Sequence, residues 1–136
     1  MKLGVLVNLN RCTGCWTCSQ ACRVAHGLDI EEFWQYIRTV GGNEIDEPGG
    51  TWPNLHLSWK PIYTKKCILC ADRFAEGEHA YCAFNCPTEA LTWGDLEDKN
   101  SAISKRLADL KEKGFEINEA RPWEETQQNI LYAERR

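Results

Sequence analysis

Alternating apolar and polar positions predict three β-strands. In residues 2–9 (KLGVLVNL) every second residue is apolar, which is the period of a strand with one buried face. Residues 56–64 (HLSWKPIYT) predict a second strand, and Pro61 favours an edge or a strand end because proline cannot donate to a ladder. Residues 90–96 (ALTWGDL) predict a third strand.

Helical periods appear between and after these strands. A short helix is predicted from Thr17 to about His26, and Gly27 can end it. A helical turn is expected at residues 71–77. An amphipathic helix is predicted over residues 101–113, capped by Asn100 or Ser101 and ended by Gly114. Its apolar face consists of Ile103, Leu107 and Leu110.

Two segments lack a clear period. Residues 28–64 are interpreted as a largely irregular insertion rich in aromatic side chains, namely Phe33, Trp34, Tyr36, Trp52, Trp59 and Tyr63. Residues 115–136 are mostly polar and predict an extended tail, with solvated disorder as an equal alternative. The chain therefore divides into a domain at 1–98, containing the insertion, and a C-terminal helix and tail at 99–136.

The eight cysteines form two groups of four with related spacing. The first group is Cys12, Cys15, Cys18 and Cys22; the second is Cys67, Cys70, Cys82 and Cys86. Three closely spaced thiols can wrap one metal centre. A fourth thiol one helical turn further along lies beyond that centre and can serve its neighbour, as in bacterial two-cluster ferredoxins.

This spacing predicts that each group donates its last cysteine to the other group's centre. Site A then consists of Cys12, Cys15, Cys18 and Cys86, and site B of Cys67, Cys70, Cys82 and Cys22. Each four-thiolate site is predicted to bind one [4Fe-4S] cluster, so all eight cysteines are metal ligands. The repeated order of strand, cysteine group and helix indicates an internal duplication.

Zinc sites, disulfides, nucleic-acid binding and a transmembrane segment are each disfavoured by the sequence. Two zinc sites also use eight thiolates, but structural zinc usually takes separate pairs of close cysteines. Disulfides are disfavoured because Cys-x2-Cys pairs are usually metal or redox motifs. The net charge of −4 and the lack of a basic stripe do not favour nucleic acid, and no apolar run is long enough for a transmembrane segment.

Residues 64–98 (TKKCILCADRFAEGEHAYCAFNCPTEALTWGDLED) closely resemble the last cysteine motif of a known family. The family comprises the iron–sulfur subunits that partner molybdopterin enzymes of the dimethyl sulfoxide reductase family. Residues 11–22 (RCTGCWTCSQAC) resemble the first motif of the same subunits. Family members usually carry four motifs and four clusters, whereas this chain has only the pair expected to share two clusters. Two further departures, Arg23 where proline is common and Trp16 where a smaller residue is common, remove no ligand.

The resemblance implies an α+β protein with a duplicated bacterial-ferredoxin-like 2[4Fe-4S] fold, extended by the aromatic insertion, the C-terminal helix and a tail that wraps a partner. It implies an electron-transfer subunit without substrate chemistry of its own. The expected partner is a large catalytic subunit with a molybdenum or tungsten pterin cofactor. Electrons would pass between that subunit and an external carrier or a membrane-anchor subunit. A free-standing two-cluster ferredoxin and a zinc-stabilised interaction module are the alternatives.

Two expectations concern surfaces and location. Trp34, Trp52, Trp59 and Trp123 lie in segments without cysteines, so residues 28–64 and 115–136 are expected to face the partner. No export signal is recognised, so a cytoplasmic location is expected, with export as the passenger of a signal-bearing partner as the alternative.

Overall fold

The computed structural model describes residues 2–39, 48–119 and 127–135. Along the chain the elements are β1 (Leu3–Asn8), α1 (Thr17–His26), β2 (Gln35–Thr39), β3 (Gly49–Thr51), β4 (Asn54–His56), β5 (Trp59–Tyr63), α2 (Ala71–Ala75), α3 (Tyr81–Asn85), β6 (Leu91–Asp95), α4 (Ala102–Glu112), β7 (Glu116–Glu119) and β8 (Ile130–Glu134). No helix within these described ranges is long and apolar enough to cross a membrane.

A four-stranded sheet in the order β6–β1–β8–β7 forms the centre of the molecule. β1 pairs antiparallel with β6 and parallel with β8, so the two ends of the chain lie side by side. The pairing with β6 places Val5 opposite Trp93 and Val7 opposite Leu91. It thereby brings the loop after β1, which carries the first cysteines, next to the segment that precedes β6 and carries Cys86.

Both faces of β1 are buried because each face packs against a different layer. Val5 and Val7 point into a core that also holds Ile130, Tyr132 and several cysteines. Leu6 points the other way, into a second core with Ile103 and Leu110 of α4. A run of apolar residues buried on both faces is typical of a central strand, whereas a half-exposed strand alternates.

The C-terminal tail is part of this sheet, and the expectation of a separate tail is wrong for residues 130–134. β8 lies between β1 and β7, and Ile130, Leu131, Tyr132 and Ala133 are all buried. The chain reaches that position by continuing from α4 through β7, which pairs antiparallel with β8. The parallel pairing with β1 joins residues more than a hundred positions apart, so no local sequence pattern predicts it.

The insertion at 28–64 is more regular than its sequence suggests. β2 and β5 form one antiparallel two-stranded sheet, and β3 and β4 form a second. The predicted strand at 56–64 corresponds to β5, and Pro61 lies in a two-stranded sheet in which both strands are edges. The predicted helices at 17–26, 71–77 and 101–113 correspond to α1, α2 and α4.

Helix ends follow the residue types present at these positions in the sequence. Gly27 ends α1 with a left-handed backbone, at a φ of 62°, which glycine adopts without steric cost. Ser101 caps α4, and its side chain accepts a hydrogen bond from the backbone N–H of Ser104. Gly114, also left-handed, follows the end of α4 and allows the chain to turn back into β7.

Truncation of a buried β8 side chain tests whether the C-terminal segment belongs to the core. Ile130 is fully buried, so Ile130→Ala is expected to lower the free energy of unfolding by about 2–5 kcal/mol, because it leaves a cavity. Urea unfolding of the metal-loaded protein, followed by circular dichroism, measures this change. Leu55→Ala, in the exposed strand β4, is the matched control and should change stability by about 0.5 kcal/mol or less. Equal stabilities of the two variants would contradict a structural role for β8.

Candidate metal centres

The first cysteine loop connects β1 to α1 through left-handed backbone conformations. Gly14 has a φ of 71° and Trp16 a φ of 64°, and both lie between cysteines. This backbone winds the loop tightly enough for Cys12, Cys15 and Cys18 to face one space. Leu69 and Cys70 are also left-handed, so the second cysteine loop turns in a related way.

One cavity is lined by the thiols predicted for site A. Cys12, Cys15 and Cys18 of the first motif and Cys86 of the second border it, together with Trp16, Ile37, Pro61, Pro87 and Leu91. Three of these thiols come from the loop and the start of α1, and the fourth comes from the end of α3. The remaining lining is predominantly apolar, which limits the access of water to the thiols.

A second cavity is lined by the thiols predicted for site B. Cys67, Cys70 and Cys82 of the second motif meet Cys22 of the first, among Val5, Trp34, Tyr63, Leu69 and Trp93. Cys18 and Cys22 are both buried on α1, one helical turn apart, yet they border different cavities. The structure thus brings the eight predicted residues together in the two predicted sets of four. All eight thiols are free of disulfide bonds.

Within residues 2–39, 48–119 and 127–135, no group of three or more His, Cys, Asp or Glu side chains is arranged to hold a single metal ion. The two sets of four thiols line cavities instead. Four thiolates around one cavity are a donor set that an iron–sulfur cluster uses.

Burial makes most of these thiols hard to ionise. Burial raises the pKa of Cys18 to about 11, and the pKa of Cys67 also to about 11. The pKa of Cys22 rises to about 12, first through burial and then through the nearby Cys67 and Cys70. Because metal binds the thiolate, loading must displace protons and is coupled to pH.

Cys15 differs from the other site A cysteines. It is exposed, and hydrogen bonding from the Thr17 side chain lowers its pKa. Cys15 is thus the thiol of site A closest to solvent. Val24 on α1 and Phe84 on α3, two largely exposed apolar side chains, lie on helices that border the same region.

Backbone N–H groups point at sulfur in the second motif. The N–H of Leu69 donates to Cys67 Sγ at 3.4 Å, and the N–H of Ala90 donates to Cys86 Sγ at 3.3 Å. Such donors favour the thiolate over the thiol and so favour metal ligation. They arise from the turns that follow each cysteine.

Two side-chain donors were not anticipated from the sequence. Gln35 Nε2 donates to Cys18 Sγ at 3.1 Å, and the Tyr63 hydroxyl donates to Cys82 Sγ at 3.6 Å. Both residues come from the insertion, whose aromatic content suggested a partner surface. A glutamine and a tyrosine carry no sequence signal of this role, because it depends on how β2 and β5 pair.

The aromatic residues of the insertion have mixed positions. Trp34 is half-buried and packs against His26 in a tilted arrangement, with ring centroids 4.5 Å apart. Trp59 is half-buried and packs over Gly14. Trp52, by contrast, is 84% exposed in the segment between β3 and β4. Trp123 lies outside the described residues.

Four-thiol sites shared between two cysteine motifs are typical of two-cluster iron–sulfur proteins, and known iron–sulfur subunits match the chain. It is 22% identical to a putative dimethyl sulfoxide reductase iron-sulfur subunit of Halobacterium salinarum, over 88% of this chain and 82% of that protein. It is 33% identical to a polysulfide reductase chain of Wolinella succinogenes, over 76% of the present sequence. It is 39% identical to the formate dehydrogenase-O iron-sulfur subunit of Escherichia coli, over 47% of the present sequence.

These matches confirm the resemblance seen in the cysteine motifs: the chain is related to iron–sulfur subunits of oxidoreductases. The chain spans only 40% of the polysulfide reductase relative and 21% of the formate dehydrogenase relative. No protein-family model matches the chain.

A substitution in the first cysteine loop tests its tight geometry. A Cβ at Gly14 would lie 2.5 Å from the Trp59 ring, and the φ of 71° already strains any other residue. Gly14→Ala is therefore expected to reduce both the metal content of the purified protein and its stability. Elemental analysis and urea unfolding provide the two measurements.

Gly27→Ala is the matched control for this substitution. Its φ of 62° imposes a similar backbone penalty, about 1–2 kcal/mol, but nothing lies within 4 Å of the added carbon. This variant should retain the full metal content. If Gly14→Ala lost no more stability and no more metal than Gly27→Ala, close packing of Trp59 against the loop would be ruled out.

Proposed function

We propose that this chain is an electron-transfer subunit that binds two [4Fe-4S] clusters and serves a molybdopterin-dependent oxidoreductase. The observation that carries the proposal is the division of the eight thiols between two cavities, with one thiol of each motif in the other motif's cavity. A pair of clusters held in this crossed manner is the arrangement known for two-cluster ferredoxins. When bound, the clusters supply one-electron chemistry.

The donor set fits this assignment. Cys12, Cys15, Cys18 and Cys86 would hold one cluster, and Cys67, Cys70, Cys82 and Cys22 the other. Four thiolates are the usual ligand set of a [4Fe-4S] cluster, and the N–H donors to Cys67 and Cys86 suit sulfur that bears negative charge. The largely apolar linings limit contact with water, which protects clusters and tunes their potentials.

The arrangement of elements supports a duplicated ferredoxin-like fold for the part that holds the clusters. β1 is followed by a cysteine loop and α1, while the second loop and α3 precede β6. β1 and β6 pair antiparallel, and α1 packs against α3. The clusters would lie between this helix pair and the sheet; β7 and β8 extend that sheet, and α4 packs on its other face.

Two surfaces are candidates for exchange and docking. Cys15 is exposed, so the distance from a bound cluster to solvent would be shortest at site A. Site A is therefore proposed to face one redox partner. The β3–β4 hairpin exposes Trp52 and Leu55, and Leu57 is exposed just after it; this surface is proposed to contact the large subunit. A tail that wraps the partner is not proposed for the buried residues 130–134.

The partner chemistry is proposed by analogy with the relatives. They are named as components of dimethyl sulfoxide reductase, formate dehydrogenase and polysulfide reductase. A large catalytic subunit containing molybdenum or tungsten would perform the substrate reaction, and this chain would connect it to an external carrier or a membrane-anchor subunit. Cytoplasmic assembly is proposed because clusters are built under reducing conditions.

Purification from the native host under anaerobic conditions tests the proposed partnership. A tagged form of this chain should isolate with one large subunit in equal amounts, and the complex should contain molybdenum or tungsten as well as iron. Size-exclusion chromatography with elemental analysis of the peak gives the result. A brown, iron-containing monomer without molybdenum or tungsten would instead identify a free-standing ferredoxin. A colourless protein that contains zinc would identify an interaction module.

Pairs of cysteine substitutions test the crossed ligand sets. Cys86→Ala combined with Cys18→Ala removes two ligands of site A, and the variant should retain one cluster, or about four iron atoms per chain. Cys86→Ala combined with Cys82→Ala removes one ligand from each site and should leave neither cluster intact. Iron counting and electron paramagnetic resonance of the reduced variants distinguish these outcomes. The reverse result would show that each motif binds its own cluster.

A further inference from the structure

We propose that Gln35 and Tyr63, a cross-strand pair in the insertion, separately set the reduction potentials of the two clusters, Gln35 that of site A and Tyr63 that of site B. The two residues lie directly opposite each other where β2 pairs with β5. Each donates to the sulfur of a cysteine from a different site. This inference rests on the proposed function and assigns a role to two residues that ligate nothing.

Gln35 is buried and firmly held beside site A. Its side chain is only 2% exposed, and its Nε2 lies 3.1 Å from Cys18 Sγ. Its backbone carbonyl accepts a hydrogen bond from Ser19 Oγ at 2.7 Å, which ties β2 to the helix turn that carries Cys18. The amide Oε1 is buried without a hydrogen-bond partner. Burying an amide oxygen without a hydrogen-bond partner costs free energy. The favourable hydrogen bond that the Gln35 amide makes here is the one from Nε2 to the Cys18 sulfur.

Tyr63 has the same relation to site B. It is 1% exposed, and its hydroxyl donates to Cys82 Sγ, deep in the cavity. Its backbone carbonyl accepts from the N–H of Gln127 at 2.9 Å. The Gln127 side chain donates in turn to the carbonyl of Cys67, a further cysteine of site B. The phenol is therefore fixed from both the insertion and the segment that leads into β8.

The frame that carries both donors is anchored to the rest of the protein. The Tyr132 hydroxyl on β8 donates a hydrogen bond to the Pro61 carbonyl on β5. The Thr64 hydroxyl donates one to the carbonyl of Trp34, the residue just before β2. A donor held in this way does not need to reorganise when charge develops on the sulfur. The β2–β5 sheet is thus a rigid platform that presents one hydrogen-bond donor to each cluster site.

The expected direction follows from charge. A reduced cluster and its thiolates carry one more negative charge than the oxidised form, so a donor to sulfur stabilises the reduced state more and raises the potential. Removal of one donor should lower the potential of its own cluster and leave the other unchanged. A hydrogen bond to a charged acceptor supports roughly a tenfold change in the reduction equilibrium, or 59 mV for a one-electron couple.

Redox titration of the isolated, cluster-loaded protein tests the pair. Gln35→Met removes the donor at similar volume, and Tyr63→Phe removes only the hydroxyl. Potentials are read by electron paramagnetic resonance, and a variant without an intact site A identifies the signal of each cluster. Gln35→Met should lower only the site A potential, and Tyr63→Phe only the site B potential. Tyr36→Phe is the matched control, because Tyr36 follows Gln35 on β2 and its side chain points to the opposite face of the strand, so both potentials should remain unchanged.

The sign of the shift separates tuning from structural damage. A disturbed cavity admits water, which solvates the more negative reduced cluster and raises the potential, whereas loss of a donor lowers it. Unchanged or raised potentials in both variants, with clusters of normal content, would overturn this inference and leave the proposed function intact. A wild-type protein without clusters would overturn both.

Discussion

The exchange of one thiol between two cysteine motifs is the constraint on which the other elements depend. Cys22 leaves the first motif to border the cavity of the second, and Cys86 does the reverse. Both exchanges require α1 and α3 to pack together and β1 to pair with β6. The long segment between the motifs is thereby closed into a loop, and its two ends, near α1 and near Cys67, are fixed beside the sites.

Packing around the two cavities reflects the chemistry that they would contain. Burial opposes ionisation of Cys18, Cys22 and Cys67, so their pKa values are raised, while hydrogen bonds to sulfur favour the thiolate. A bound cluster would satisfy these buried sulfurs and link both motifs, so its binding energy would also be folding energy. The sheet adds stability on the opposite side, where α4 covers Leu6 and Leu131 in a core without cysteines.

Local patterns were sufficient to predict the elements whose partners are near or whose residues are periodic. The alternation in residues 2–9 identified β1, and Ile103, Leu107 and Leu110 identified α4. The cysteine spacing predicted the two sets of four thiols that line the cavities. β8 was missed because its four buried residues follow a polar stretch and gain their position only by pairing with β1. Gln35 and Tyr63 were missed for a related reason, since their register across β2 and β5 decides what they contact.

The proposed function requires that the eight thiols hold two iron–sulfur clusters. Its most direct measurement is the iron and acid-labile sulfide content of the anaerobically purified protein, combined with Mössbauer spectroscopy of a sample enriched in 57Fe. Two clusters predict about eight iron atoms and about eight sulfides per chain, all in [4Fe-4S] spectra. Stoichiometric zinc without sulfide, or iron bound as single ions, would contradict this claim.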